Sequence, residues 1–492
     1  MDQSDHQPHL HPIVSDRVTV KGVVTPLALL PDGRLWWSEG LQRSLHLEKD
    51  VLSFVANGPN ITLRTIQEVR AGCCSTTSAG SFVRRDVVFQ PSSNESHVLW
   101  CQKLREYIES LGRPKRLFVL VNPFGGKKSA KKVFWKKVSP LLSDAQIELT
   151  VQETQHQLHA KELARSLDLS QYDGIVCVSG DGILVEVVNG LLEREDWQTA
   201  IKIPIGVVPA GTGNGMAKSL LDSVGYPCKV ANAVLAIIRG HKRSLDVATI
   251  RQGETRFFSV LMLAWGLIAD IDIESEKYRW MGSARLDFYA ICRFLNLRHY
   301  TGRVSFVPAP GFEEHGEPSS YPGQSTSEGS NRDPSEAENT QLQKLGYQGS
   351  DINLEHLNWR AINGPFVSVW LHNVPWGAED TMAAPEAKFS DGYLDLIIVK
   401  DCPRLPLLAM MTELNKGGHV KSPYVTYLKV KAFVLEPGPR TKKPEKEGII
   451  DSDGEVLARG KGTYKCDQKG LMAYDKLEIT VDQGLATLFT PI

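Results

Sequence analysis

Three glycine-rich turns, each placed after an apolar run, constrain this chain more than any other feature. They stand in "VLVNPFGG" (119–126), "VCVSGDG" (176–182) and "VVPAGTGNG" (207–215). A further apolar run, "IELTVQET" (147–154), and helix-spaced stretches at 157–167 and 183–194 lie between them. Strand and helix in alternation predict a parallel sheet with helices on both faces. In such sheets the turns after the strands share one edge, where ligands bind. Backbone N–H groups at a glycine turn that opens a helix attract phosphate. Each turn alone is compatible with an ordinary strand-to-helix connection. Three on one edge point to a phosphate or nucleotide site. The first is not a Walker A loop, because Val121 and Lys128 stand where that motif needs Gly and Ser/Thr.

The regions around this core read differently. Residues 1–110 show short strand-like runs closed by a helical pattern at "HVLWCQKLREYIESL", which predicts a β-rich N-terminal module of the PH type. Residues 114–245 form the α/β nucleotide domain. Residues 246–492 are strand-rich again and predict an antiparallel β-sandwich. Within it, 311–350 is rich in Gly, Pro, Ser and Glu, and is expected to be a disordered insertion. The segment 436–447 ("EPGPRTKKPEKE") is expected to be flexible as well.

Composition removes several classes of function. Formal net charge is −1, so no global basic field draws nucleic acid. None of the eight cysteines sits in a CxxC pair, and no Cys/His cluster has zinc spacing. That suits reduced thiols in the cytoplasm. Residues 1–16 are polar and His-rich, unlike a signal peptide. The best apolar stretch, 257–271, is too short and too acidic at its end to span a bilayer. The expectation is a cytoplasmic protein that meets membranes peripherally.

At this point the motifs carry a resemblance. "VNPFGGK", "SGDGILVEVVNGL" and "PAGTGNGMAKSL" resemble the catalytic domain of diacylglycerol kinases and sphingoid-base kinases. The block 257–289, "FFSVLMLAWGLIADIDIESEKYRWMGSARLDFY", resembles the sphingosine kinase branch, and the β-rich extension is similar to that of its plant members. Phosphoryl transfer needs a base beside the acceptor hydroxyl. Asp181, between Gly180 and Gly182, suits that task, and at an ordinary aspartate pKa it is ionised at pH 7. The resemblance implies the same role. It also implies ATP contacts by Asn122, Pro123, Phe124, Gly125, Gly126, Thr154, Gly180, Glu186, Gly211, Thr212 and Gly213. Arg279 and Arg285 would clamp the γ-phosphate. Asp453, Gly454 and Glu455 would approach the nucleotide, with Asp453 near Mg²⁺, although a lone DGE also suits a hairpin turn. Lys388, Asp391 and the Tyr393 carbonyl match a structural Mg²⁺ site of related bacterial lipid kinases.

The acceptor is addressed by two segments. "ADIDIESEK" carries Asp270, Asp272, Glu274 and Glu276. A carboxylate is the natural partner of a sphingoid amine, and the resemblance places that role on Asp272. By charge pattern alone, a solvated acidic face remains open. Residues 286–297, with Leu286, Tyr289, Ile291, Phe294, Leu295 and Leu297, offer an apolar slot, and Leu261, Leu263 and Leu267 a facing wall. Core packing is the other reading for each of these. Lys127, Lys128, Lys131, Lys132 and Lys136, interleaved with Phe134 and Trp135, suit an anionic membrane surface or a solvated helix. The expected activity is ATP- and Mg²⁺-dependent phosphorylation of the primary hydroxyl of a sphingoid base. A second copy of the chain is a further candidate partner. The alternatives are a ceramide or diacylglycerol kinase, a weaker NAD kinase option, and a catalytically inactive lipid-binding scaffold.

Overall fold

The computed structural model describes residues 11–37, 43–68, 82–125, 128–282, 284–322, 346–464 and 470–492. At its centre lie four parallel strands in the order Ile205–Pro209, Gly174–Ser179, Arg116–Val121 and Glu148–Glu153. The central strands are apolar on both faces because helices cover both. Phe118, Leu120, Ile175 and Cys177 pack toward the Asp181–Leu192 helix. Leu117, Val119, Val176 and Val178 pack toward Phe134, Val138, Val234 and Ile238 on the other side. This double burial is what turns alternating strands into near-continuous apolar runs.

The sheet does not end with the parallel strands. The last strand, Leu477–Phe489, pairs antiparallel with Lys242–Gln252 and Val425–Arg440, and its end lies parallel to Ile205–Pro209. One strand therefore ties the nucleotide half to the β-rich half. In the latter, antiparallel strands close around Trp265, Tyr300, Phe306, Phe366 and Phe433.

The N-terminal region holds a four-stranded antiparallel sheet (Val14–His46), a three-stranded one (Val51–Phe89) and the Asn94–Ser110 helix. Ser93 caps that helix by accepting the Ser96 N–H at 3.1 Å. Trp100 and Leu104 insert between the sheets, with Trp100 edge-on to Phe89. Arg113 docks this module, donating to the carbonyls of Leu47, Glu48, Val51 and Leu52, each at 2.9 Å.

Parts of the segments expected to be disordered or flexible are ordered. In the 311–350 segment, Glu317–Ser319 adds an edge strand to Trp359–Asn363, and Tyr347 packs at a tilt against Trp197, ring centroids 4.5 Å apart. Residues 323–345 lie outside the described residues. In 436–447, the Val425–Arg440 strand runs on through Arg440, whose N–H donates to the Lys446 carbonyl at 2.8 Å. The prolines there are tolerated because pairing with Tyr300–Pro308 is irregular at that end.

Candidate active site

The second and third glycine turns touch. A Cβ on Gly211 would lie 2.2 Å from the Gly180 Cα, so the third turn has no room for a side chain there, and one on Gly180 would be tight at 3.2 Å. Asp181 sits in the angle between them. Its Oδ2 accepts the Gly215 N–H at 2.9 Å and its Oδ1 the Met216 N–H at 3.0 Å, both at the start of the Gly215–Asp222 helix. Burial pushes the Asp181 carboxyl above its ordinary value, and these two N–H groups oppose that rise. The sequence expectation of an ordinary pKa is therefore replaced by a raised one. Asn214, in left-handed conformation, pins the third turn: its Oδ1 accepts the Gly211 N–H and its Nδ2 donates to Glu379 at 2.7 Å.

The first turn joins the same edge. Asn122 Oδ1 accepts the Phe124 N–H at 2.9 Å, and a Cβ on Gly125 would lie 3.6 Å from Ser179 Oγ. Pro123 and Phe124 shape this turn but do not line the cavity, and Phe124 is exposed. Gly126 lies outside the described residues. Thr154 is buried, with its N–H on the Val121 carbonyl at 2.9 Å, and also stands off the cavity.

A cavity of about 1030 Å³ starts at these turns, where Asn122, Gly125, Gly180, Asp181, Gly211, Thr212 and Gly213 line it. It continues between two helices into an apolar slot. Leu286, Ile291, Phe294 and Leu295 form one wall, and Leu261, Met262 and Ile268 another. Leu408, Met411 and Leu414 close it. Tyr289, Leu263, Leu267 and Leu297 do not line the slot. Tyr289 hydrogen-bonds Glu274, Leu263 belongs to the sandwich core, and Leu267 and Leu297 pack in a neighbouring cluster. The 408–414 wall was not anticipated. Its signal was the spacing of Leu405, Leu408 and Met411 after Pro403, a pattern that also suits a core helix.

The acidic segment divides by helix face. Asp270 takes Arg298 at 2.9 Å and the Tyr300 hydroxyl at 2.7 Å, and Glu274 takes Arg298 at 2.9 Å. Asp272 points the other way and lines the cavity with Arg285, which stands 4.0 Å from Glu276. Arg285 Nη1 is buried without a hydrogen-bond partner. The Arg279 side chain is outside what the structure describes.

Two acids have local duties. The Glu186 carboxylate lines the cavity but also accepts the N–H groups of Leu158 and Ala160, each at 3.1 Å, and so caps the His159–Ser166 helix. Asp453 accepts the N–H groups of Val260, Leu261 and Met262, at 3.2, 2.8 and 2.8 Å. Its carboxylate holds that loop and lines the cavity, so its oxygens are engaged by backbone as well as facing the site. Glu455 hangs over the start of the Asp181 helix, 3.6 Å from where a Gly182 Cβ would be. Burial, then the neighbouring Glu186, Glu276 and Asp272, push it up to about 7. The second proposed metal site is corrected. The Lys429 ammonium sits 2.9 Å from both Asp391 and Asp395, supplying the positive charge a cation would bring. Lys388 and Asp391 line a separate cavity, and the Tyr393 N–H donates to Asp391.

Phosphate-facing turns that open into an apolar slot are the working parts of a lipid kinase. Residues 116–250 match the family of the diacylglycerol kinase catalytic domain, and residues 355–471 match the YegS C-terminal NAD kinase β-sandwich-like domain. Across 479 residues the chain is 63% identical to sphingosine kinase 1 of Arabidopsis thaliana, covering 97% of this chain and 96% of that one. Sphingosine kinase 1 of Homo sapiens is 34% identical over 70% of this chain and 87% of its own length. Human ceramide kinase is 31% identical over 68% of this chain and 64% of its own. The chain belongs to the sphingosine kinase family.

Proposed function

We propose that the chain transfers the γ-phosphoryl group of ATP to the primary hydroxyl of a sphingoid long-chain base, giving the 1-phosphate and ADP. The observation that carries this reading is the single cavity in which Asp181, the three turns, Asp272 and the apolar slot meet. Asp181 accepts the hydroxyl proton as the new O–P bond forms. Its burial raises its basicity, and the Gly215 and Met216 N–H groups hold it as a carboxylate. The turn backbones seat the phosphates, and Arg285, whose Nη1 makes no hydrogen bond, stabilises charge on the γ-phosphate. Glu186 shapes the nucleotide edge by fixing the 158–160 segment.

Asp272 receives the protonated amine. Ceramide carries an amide there and diacylglycerol an ester, and neither offers a positive charge to match it. The apolar slot takes the hydrocarbon chain.

Mg²⁺ fits this site because Asp181, Asp272 and Glu455 crowd it with carboxylates, which repel ATP unless a cation accompanies the phosphates. We assign it to the ATP phosphates and water rather than to a protein cage. When bound it neutralises phosphate charge during transfer.

Two further readings concern the surface. A sheet of four strands, a sheet of three and a closing helix support the PH-type reading of the N-terminal module. Among the described residues, no helix is long and apolar enough to cross a membrane. Exposed Trp135, with Lys132, Lys136 and Lys137 beside it, supports contact with an anionic bilayer. A π-turn at Phe134–Val138 sends Phe134 into the core and leaves Trp135 outside, and Lys131 pairs with Glu153 at 2.9 Å.

The test is transfer from radiolabelled ATP to sphingosine, phytosphingosine, ceramide and diacylglycerol side by side. The proposal expects label in the two free bases. Equal labelling of ceramide would overturn it.

A further inference from the structure

A carboxyl group behind Asp272 has no donor from elsewhere among the described residues. Asp451 lies on the Ile449–Ser452 strand, opposite Ala264 on one side and Val456 on the other, and the Leu267–Glu274 helix packs across that strand. Its side chain is fully buried, and among the described residues no N–H or O–H group donates to either oxygen. Its hydrogen-bonding neighbour is another acid, Asp272. Two carboxyl groups form a hydrogen bond only if one of them holds a proton. Like charges this close in a buried site cannot both ionise readily.

The surroundings decide which acid keeps the proton. Asp451 faces Asp272, Asp453 and Glu455, all acidic. Burial and these neighbours hold its carboxyl well above the ordinary range. Asp272 faces Glu276 and Asp451 but also the Arg285 guanidinium, and it lines the cavity. The charge therefore settles on Asp272 and the proton on Asp451.

We propose that Asp451 is a specificity-determining positioning residue: it donates its proton to Asp272 and so presents one aimed negative charge to the ammonium of the substrate. This rests on Asp272 as the amine-binding group. A base with a free amine completes the pair. An N-acylated base leaves that buried charge uncompensated, and a site built in this way rejects such an analogue strongly. The arrangement also sacrifices stability, because a buried acid pair with no other donor among the described residues costs the fold.

The experiment measures kcat and KM for sphingosine and N-acetylsphingosine with the full chain and with Asp451→Leu, Asp451→Asn and Asp272→Asn, alongside thermal unfolding. Asp451→Leu, similar in volume, is expected to raise KM for sphingosine about tenfold, roughly one charge-assisted hydrogen bond, with kcat within about twofold. Asp451→Asn keeps an N–H donor and is expected to restore KM to within about threefold of the starting chain. The melting temperature of Asp451→Leu should be unchanged or higher. Should Asp451→Leu fail to fold, Asp451→Ala takes its place with the same expectation.

The proposal is overturned if KM for sphingosine stays put, if Asp451→Asn is as impaired as Asp451→Leu, or if both lipids lose affinity equally. Asp272→Asn separates the two levels. If it leaves the preference for the free amine intact, the amine-binding reading itself fails. If it abolishes the preference while Asp451→Leu does not move it, only the role of Asp451 fails.

Discussion

Asp270 and Glu274 share a helix with Asp272, yet the two faces of that helix have opposite chemistry. On one face Arg298 and Tyr300 engage the Asp270 and Glu274 carboxylates, at 2.7 to 2.9 Å, with Asp270 Oδ1 left without a hydrogen bond. On the other, Asp272 faces a cavity and a second acid that has no donor from elsewhere among the described residues. Residues four apart lie on one face, while a residue two along points away, so a short acidic run serves two purposes at once. The arginine-paired face holds the helix to the β-rich half. The unsatisfied face is where a positively charged ligand has something to gain.

That contrast can be broken at several points. The largest effect is expected at Asp181, which is fastened by N–H groups yet faces the cavity. Asp181→Asn should lower kcat by about 10²–10⁴, as measured by single-turnover transfer, with ATP affinity retained. Next comes the arginine-paired face. Arg298→Met removes the cation that two buried carboxylates share and should cost about 3–5 kcal/mol of stability, seen in denaturant unfolding. The preference of the remaining folded enzyme for a free amine should not change. The smallest effect concerns Glu455, whose carboxyl is pushed up to about 7 by burial and neighbouring acids. Unfolded, a glutamate titrates near 4.3, so the native form retains a proton that the unfolded form has lost. Its contribution to stability is complete below the unfolded value and is lost as pH rises through about 7. Glu455→Gln should therefore gain up to roughly 3 kcal/mol over the unchanged chain at pH 8 and nothing at pH 4.

The nucleotide edge was legible because glycine leaves few alternatives. Gly180 and Gly211 approach so closely that the turns could hardly carry other residues, and the apolar strands before them have a strong period. The lipid half was less legible. Leu408 and Met411 line the slot, while Leu263 and Leu267, of similar character, pack elsewhere, and only tertiary contacts separate them. Acid–glycine pairs were ambiguous for the same reason. Asp391 and Asp453 both precede glycine in turns, where an aspartate serves a hairpin as readily as a metal. Lys429 and the 260–262 amides, far away in sequence, engage these two acids. Asp451 carried no signal at all, since a buried acid in "GIIDSDGE" looks like part of the turn that follows.

The most direct test compares Asp272→Asn with Asp270→Asn, measuring for each the melting temperature and the ratio of kcat/KM for sphingosine over N-acetylsphingosine. Asp272→Asn should collapse the ratio and leave the melting temperature near its starting value, and Asp270→Asn should do the reverse. A preserved ratio in Asp272→Asn, or a collapsed one in Asp270→Asn, would contradict the division of labour between the two faces.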